Sequence, residues 1–420
     1  THTVPAGAFR GFGVPQVAFA HECQMDRIAR ELGMDPVELR LRNLVRRGEP
    51  LWEGDLPMDA EPSQGLRAVV EGLRRAVAST PARRPWAPGA PWAADVRVLA
   101  GEGFSVAFKA PMSPSDSEAE VRLGADGQAE LRVGTTELGQ GARTVLVQIA
   151  AQELGLPVSR WRVAVPDTDR VPFDQSTNGS RSTTLTGLAV QRAARDLREQ
   201  LAEAARQVAG QRPQRFEDGC AWVGEQAWPL EELVRRVAGE QGALVGRGRY
   251  QGDRTPTPQG ARVPFWELGM GSARVEVDPE TGWWRVSHCV TAADVGKAIH
   301  PELCHGQDQG GAMMGMGAAL FEELRYQEGQ LLNGSLTDYR APTFDVLPDH
   351  LESILVENGD GPGPWGAKGA GESGVYVTVA AVANAVYAAT GRMPRRLPLT
   401  PERMWRLLRG GNEGEQRQQA

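Results

Sequence analysis

Glu372 is the carboxylate of this sequence best placed to move a proton. It lies in Gly366-Ala367-Lys368-Gly369-Ala370-Gly371-Glu372-Ser373, among residues that give it little side-chain cover. Packed against an apolar pocket, such a carboxyl gains proton affinity and suits a general base. The other reading is a glutamate at a helix start, favourably placed against the dipole. Three more segments share the form of small and polar residues ahead of a helix pattern. They are Ala8-Phe9-Arg10-Gly11-Phe12-Gly13, Gly139-Gln140-Gly141, and Ser176-Thr177-Asn178-Gly179-Ser180-Arg181-Ser182. Each would aim backbone N–H groups and a helix N-terminus at an anion or polar ligand. Four such ends together would wrap a large phosphate-bearing cofactor, whereas any one alone is usually a tight turn.

None of these loops is a common nucleotide motif. There is no G-x-x-x-x-G-K-[ST] and no G-x-S-x-G, and Gly366–Gly371 lacks the strand context and downstream acid of a dinucleotide fingerprint. The four cysteines, Cys23, Cys220, Cys289 and Cys304, form no C-x-x-C pair, which argues against an iron–sulfur cluster or structural zinc in this chain. Reduced thiols of a cytoplasmic protein are the expectation. Of the six histidines, His300 and His305 alone suggest a shared helix face, and no carboxylate set accompanies them. A metal held by protein side chains is therefore not expected.

The elements that must carry these loops are legible in outline. A helix pattern runs from Pro15 to Gly33, and Asp35-Pro36-Val37-Glu38 caps a second reaching about Arg47. A third spans about 63–77. Residues 79–94 hold prolines, alanines and tryptophans without periodicity and read as a linker. Phe104–Phe108, Ala119–Leu123 and Gln128–Val133 alternate as strands, Gly141–Leu154 is helical, and Arg160–Val165 is a strand. A long helix follows from about Thr184 to Val208, then weak signals over 212–257. Ala273–Val277 and Trp283–Val290 are strands around a turn, with helices near Gly306–Leu320 and Tyr376–Thr390.

At 420 residues the chain exceeds what one core usually supports. Hydrophobic residues at 41% and charged residues at 24% fit a globular protein, and a net charge of -7 gives no reason for attraction to nucleic acid or anionic lipid. No apolar run approaches a membrane span of about 20 residues, and no secretory signal is visible.

Taken together, the loops resemble those of the xanthine dehydrogenase-type molybdenum hydroxylases. "AFRGFG" at 8–13, with Pro15-Gln16 and the run from Met25-Asp26 to Arg42-Asn43, is similar to that family's second cofactor loop and its helices. "GTTELGQG" at 134–141, with Thr144, Gln148 and Leu154-Gly155, resembles its glutamine loop. "DT" at 167–168, "GSRSTT" at 179–184, "DVG" at 294–296, Pro301, "GQ" at 306–307, "MGMGAALFEE" at 314–323 and "DYRAPT" at 338–343 follow in order. "KGAGES" at 368–373 resembles the loop that carries the family's catalytic glutamate.

The resemblance implies an α+β fold of two elongated mixed lobes with a molybdopterin-type cofactor between them, the cytosine dinucleotide being one form that it admits. Residues 1–80 and 273–410 would belong to cofactor-binding lobes, 95–272 to a second lobe, and 411–420 to a frayed tail. Glu372 would be the catalytic base. Arg10, Gly139, Gln140, Gly141, Thr177, Gly179, Ser180, Ser182 and Lys368 would bind the cofactor. Phe12 and Phe104 would clamp a flat substrate ring, with Ser105 beside them. The reaction implied is insertion of water-derived oxygen into an electron-poor carbon of an N-heterocycle or aldehyde, with electrons leaving through iron–sulfur clusters to FAD on partner chains. The family's leading α/β domain and first glycine loop, "GGGFGG"-like, are not found. A separate polypeptide would supply that half, or the sequence is a fragment. A catalytically silent assembly subunit of the same fold is the alternative. Val14 stands where the family commonly has glycine.

Overall fold

The chain is described from a computed structural model, covering residues 4–410 except 54, 59–60, 81–97, 112–113, 258–259 and 360. The tail expected at 411–420 and most of the linker expected at 79–94 lie outside the described residues.

Gly13 enters α1 (Val14–Glu31) at φ 86°, and Pro15 sits in the first turn. Asp35 caps α2 (Pro36–Asn43), its carboxylate accepting the N–H groups of Val37 and Glu38 at 2.8 and 3.0 Å. Buried Arg40 locks α2 to α1, 2.7 Å from both Glu22 and Asp26. An apolar stripe of Leu66, Val69, Val70 and Leu73 commits α3 (Pro62–Ser79) to a core.

The chain then runs through β1 (Leu99–Lys109), β2 (Ser117–Gly124), β3 (Ala129–Val133), α4 (Ala142–Leu154), β4 (Trp161–Val163) and α5 (Gly187–Ala209). Next come β5 (Arg215–Glu217), β6 (Cys220–Val223), β7 (Gln226–Pro229), α6 (Leu230–Ala238) and β8 (Ala243–Tyr250). A short pair, β9 (Pro256–Thr257) and β10 (Gly260–Ala261), precedes β11 (Glu267–Val277), β12 (Trp284–Asp294) and α7 (Pro301–Leu320). A second short pair, β13 (Tyr326–Gln327) and β14 (Gln330–Leu331), is followed by β15 (His350–Val356), α8 (Ser373–Thr390) and α9 (Pro401–Leu408).

Two four-stranded sheets organise the molecule. The first has the order β1-β11-β12-β15, antiparallel except for the β12–β15 pair. The second has the order β4-β3-β2-β8, with β3 and β4 parallel. β1 and β11 are direct neighbours, with Leu99 opposite Val277 and Lys109 opposite Glu267. The second lobe is therefore inserted between adjacent strands of the first. This corrects the division expected at 95–272. Backbone pairing places both 99–109 and 267–272 in the first lobe, and the second sheet occupies 117–250.

α8 packs on β1 and β11, where glycines let it approach closely. A Cβ on Gly103 would stand 2.1 Å from Ala385 N, and one on Gly101 2.2 Å from Ala389 N. Val375, Val377, Val379, Val382 and Val386 of α8 are buried, each contributing on the order of 1.5–3 kcal/mol. α8 is also the one described helix long and apolar enough to cross a membrane, yet 78% of that stretch is buried inside the protein. The sheet's opposite face meets α3 through Leu66, Val69, Leu73, Val106 and Met270. In the second lobe, α5 lies against β8 with the same device, since a Cβ on Gly248 would stand 2.0 Å from Ala189 O.

Several elements differ from their sequence reading. The weak stretch at 212–257 holds the β5–β7 meander, α6 and β8. α7 starts at Pro301 rather than near Gly306, with His300 as its cap: Nδ1 accepts Leu303 N at 3.4 Å. The long second-lobe helix opens with a π-helical turn over Ser182–Thr186.

Candidate active site

The four glycine loops converge on one cavity of about 600 Å³ at the junction of the lobes. The first lobe contributes Ala8–Arg10, Phe12, Lys297, Ile299–His300 and 368–372. The second contributes 138–140 and 177–183. Each loop turns through a left-handed residue that glycine tolerates best: φ is 104° at Gly11, 95° at Gly139 and 59° at Gly179. Ser180 adopts 58° without being glycine, a strained value held by its neighbours.

Glu372 ends the last loop and stands at the N-cap of α8, with its side chain 9% exposed at the cavity wall. Oε1 accepts Gly11 N at 2.8 Å, so the first and last glycine loops meet on this carboxylate. Oε2 accepts Ser180 Oγ at 2.9 Å and lies 2.7 Å from Lys109 Nζ. Behind it, Glu267 Oε1 accepts the N–H groups of Glu372 and Ser373 at 2.9 and 3.0 Å. Burial pushes the Glu267 carboxyl up to about 7, the Lys109 ammonium opposes that rise, and the Glu372 charge adds to it.

Arg10 staples three segments. Its Nε donates to Gly371 O at 2.6 Å, and Nη2 donates to Gln307 O and Oε1 at 3.0 and 2.9 Å. Burial lowers its pKa against the pull of Glu372, Glu267 and Asp308. Gln140 lines the cavity but folds onto its own loop: Nε2 donates to Thr136 O at 2.9 Å and Oε1 accepts Leu138 N at 2.5 Å. The N-terminus of α4 is held by Glu137, whose carboxylate accepts Gly139 N, Gly141 N and Arg143 N. Those contacts depress the Glu137 pKa despite burial. Thr177, Gly179, Ser180 and Ser182 line the cavity. Gly141 sits just behind it, where a Cβ would strike Leu303 at 2.5 Å.

Three expected positions change meaning. Lys368 reaches the cavity wall, but its ammonium pairs with Asp294 at 2.7 Å, both side chains fully buried. Phe104 and Ser105 do not line the cavity. Ser105 is buried and donates to Val377 O of α8 at 2.6 Å, while Phe104 packs toward α3 with Val106 and Phe108. The physical reason is strand parity: successive residues of β1 face opposite sides of the sheet, and neither reaches its end. The β1 residue that does reach the site is Lys109. Phe12 lines the cavity, half exposed, with Lys109 Nζ 5.9 Å from its ring centroid.

Two residues were missed although each left a signal. Lys109 shares the parity of Gly103, Ser105 and Ala107, the buried face of β1, so a lysine there must meet a counter-charge inside. Glu267 opens β11 directly opposite it. Asn178, Lys297, His300 and Gln307 also line the wall.

The wall suits a polar, phosphate-bearing group. Asn178 Oδ1 is buried there with no hydrogen-bond partner, and the loop backbones bring N–H groups close to the space. A second, more open groove of about 1040 Å³ shares Lys297 and Ile299 with the cavity and runs along Gln148, Gly155–Val158 and Phe216–Asp218. Gln148 Oε1 is likewise buried without a partner.

Glycine-bearing loops from two lobes thus meet around one polar cavity with a carboxylate at its wall. Residues 90–348 match one molybdopterin cofactor-binding domain model and residues 1–44 another, and the chain belongs to that family. It is 32% identical over 96% of its length to a putative xanthine dehydrogenase molybdenum-binding subunit of Escherichia coli strain K12, covering 54% of that protein. It is 31% identical to the nicotine 6-hydroxylase large subunit of Paenarthrobacter nicotinovorans, over 98% of this chain and 52% of that one. The fold matches quinoline 2-oxidoreductase from Pseudomonas putida 86 with a TM-score of 0.82 and 26% identity, over 96% of this chain and 53% of that one. The chain thus spans about half the length of the curated relatives it matches.

Proposed function

We propose that this chain is the catalytic-loop half of the molybdenum-bearing unit of a hydroxylase, acting on an electron-poor carbon of an N-heterocycle or aldehyde. The observation that carries the reading is Glu372, a carboxylate fixed at the wall of the cofactor-sized cavity by groups from three separate segments. Gly139–Gly141, Thr177, Gly179, Ser180 and Ser182 would hold a molybdopterin-type cofactor through backbone N–H and hydroxyl groups. Arg10 and Lys368 would keep the loops in place. When bound, the cofactor supplies the oxygen-transfer and two-electron redox chemistry. The groove of about 1040 Å³ beyond Lys297 has room for a nucleotide tail on that cofactor, such as a cytosine dinucleotide form would carry.

The chain's own residues do the rest. Glu372 accepts the proton of the attacking water-derived oxygen at a carboxylate oxygen. Phe12 presents a ring face to a flat substrate and sheds water from it. The remaining half of the unit, on this or another polypeptide, and iron–sulfur and FAD-bearing chains beyond it would complete a cytoplasmic assembly.

Glu372→Gln tests the assignment in the complex co-expressed with its genomic neighbours. Molybdenum content, read by elemental mass spectrometry, is expected to stay near wild type. Turnover is expected to fall about 10²–10⁴-fold, because an amide takes no proton. Near-normal turnover at full molybdenum would remove Glu372 from the base role.

A further inference from the structure

We propose that Lys109 is a positioning residue for Glu372 and that Glu267 is its alternate counter-ion: the ammonium pins the Glu372 side chain at the cavity wall and turns to Glu267 when Glu372 takes a proton in turnover. The proposal rests on the reading of Glu372 as the base.

The geometry is that of one cation between two anions. Lys109 is 4% exposed at the end of β1, Glu267 is fully buried at the start of β11, and the two are cross-strand partners. Nζ lies 2.7 Å from Glu372 Oε2 and 3.7 Å from Glu267 Oε2, and donates to Ala110 O at 3.2 Å. Glu267 Oε2 is buried, with Ser180 nearby and no hydrogen bond of ordinary length, so the ammonium reaches it by a small rotation of its stem. Glu267 Oε1 meanwhile grips the backbone of Glu372 and Ser373, so the second carboxylate moves with the catalytic loop.

Such an arrangement answers a difficulty. A base held by an ion pair loses that pair each time it is protonated, and a buried ammonium left alone is costly. A second carboxylate within reach keeps the cation paired in both states. The Glu267 value near 7 suits this role, since the group is partly ionised at neutral pH and sheds the repulsion of Glu372 once Glu372 is neutral. The other groups facing the cluster are Arg10 from the first loop, Asp308 from α7 and Tyr376 from α8. Arg10 and Asp308 are committed to Gln307 and Thr291, and Tyr376 donates to Glu267 O at 3.3 Å. Lys109 is the group in direct ion-pair contact with both carboxylates.

The test has two arms on the full chain and its complex, with Lys109→Met, Glu267→Gln and the double variant. In the first arm, thermal midpoints are read by calorimetry from about pH 5.5 to about pH 8.5, across the titration of Glu267. The Lys109→Met deficit is expected to grow with pH, as two carboxylates ionise without their cation, and adding Glu267→Gln is expected to remove most of that growth. A deficit constant with pH would overturn the charge coupling. In the second arm, turnover is followed against pH. Lys109→Met is expected to lose turnover at least about tenfold on the acid side and recover as pH rises, because a carboxylate without its cation holds protons to higher pH. An equal loss at every pH would mean that Lys109 only shapes the fold, and would overturn the positioning role. Should Glu372→Gln retain turnover, the reading of the base fails, while the calorimetric arm still judges the triad on its own.

Discussion

Replacing Lys368 by methionine removes one charge from a pair with no solvent to fall back on. The ammonium and the Asp294 carboxylate are 2.7 Å apart and both side chains are fully buried. Asp294 also accepts Gly296 N at 3.0 Å, so the pair ties the catalytic loop to the turn after β12. Methionine keeps the stem and strands the carboxylate. Breaking a buried pair from one side costs about 3–5 kcal/mol, against at most about 1 kcal/mol for an exposed pair. At roughly 2–4 °C per kcal/mol for a large domain, the calorimetric midpoint should fall on the order of 10 °C. Lys297→Met is the internal control, since Lys297 pairs with Glu357 at 3.1 Å with the two side chains 54% and 42% exposed. Its midpoint should move by no more than about 4 °C. Asp294→Asn added to Lys368→Met should recover part of the loss by removing the stranded charge. Equal midpoints for the two single lysine variants would refute the reasoning, because burial would then not decide what the pair is worth.

Two further outcomes follow from ionisation. The folded chain keeps the Glu267 proton up to about pH 7, whereas the unfolded chain releases it near 4.5, so stability should fall as pH rises through that window. The loss is about 3 kcal/mol in all, and Glu267→Gln should flatten the midpoint-against-pH curve there; parallel curves for the two proteins would rule it out. Cys23 and Cys289 are pushed up to about 12 by burial, so a thiol reagent at neutral pH should label them only after unfolding. Mass mapping that finds Cys289 labelled in the native chain as fast as half-buried Cys304 would contradict that.

Much of the site was legible because its loops carry backbone demands that few residues meet. Gly11, Gly139 and Gly179 sit at left-handed turns, so the glycine clusters that stood out along the chain are the places where the cavity wall bends. What escaped was what strand parity and pairing decide. Phe104 and Ser105 were sought on the right strand but at the wrong place along it, since the site lies at the Lys109 end. Lys109 and Glu267 lay just outside the strands read at 104–108 and 273–277, and their pairing across β1 and β11 is what makes them an interior ion cluster. The same blindness hid the lobe boundary. Nothing local tells 99–109 that its neighbour lies beyond an inserted sheet. β15 went unread for a related reason, because its half-buried residues lack a clean alternation.

The contact between Gly11 N and Glu372 Oε1 joins positions 361 residues apart. A ribosome adding roughly 5–20 residues per second needs tens of seconds to bridge them, and throughout that time the second lobe can complete its own sheet while the pocket does not exist. The order of events in biosynthesis is thereby imposed by topology: the receptacle forms only once position 372 has been added and has met position 11. A nascent chain stalled short of position 372 would be folded in its middle yet lack the wall that closes the pocket.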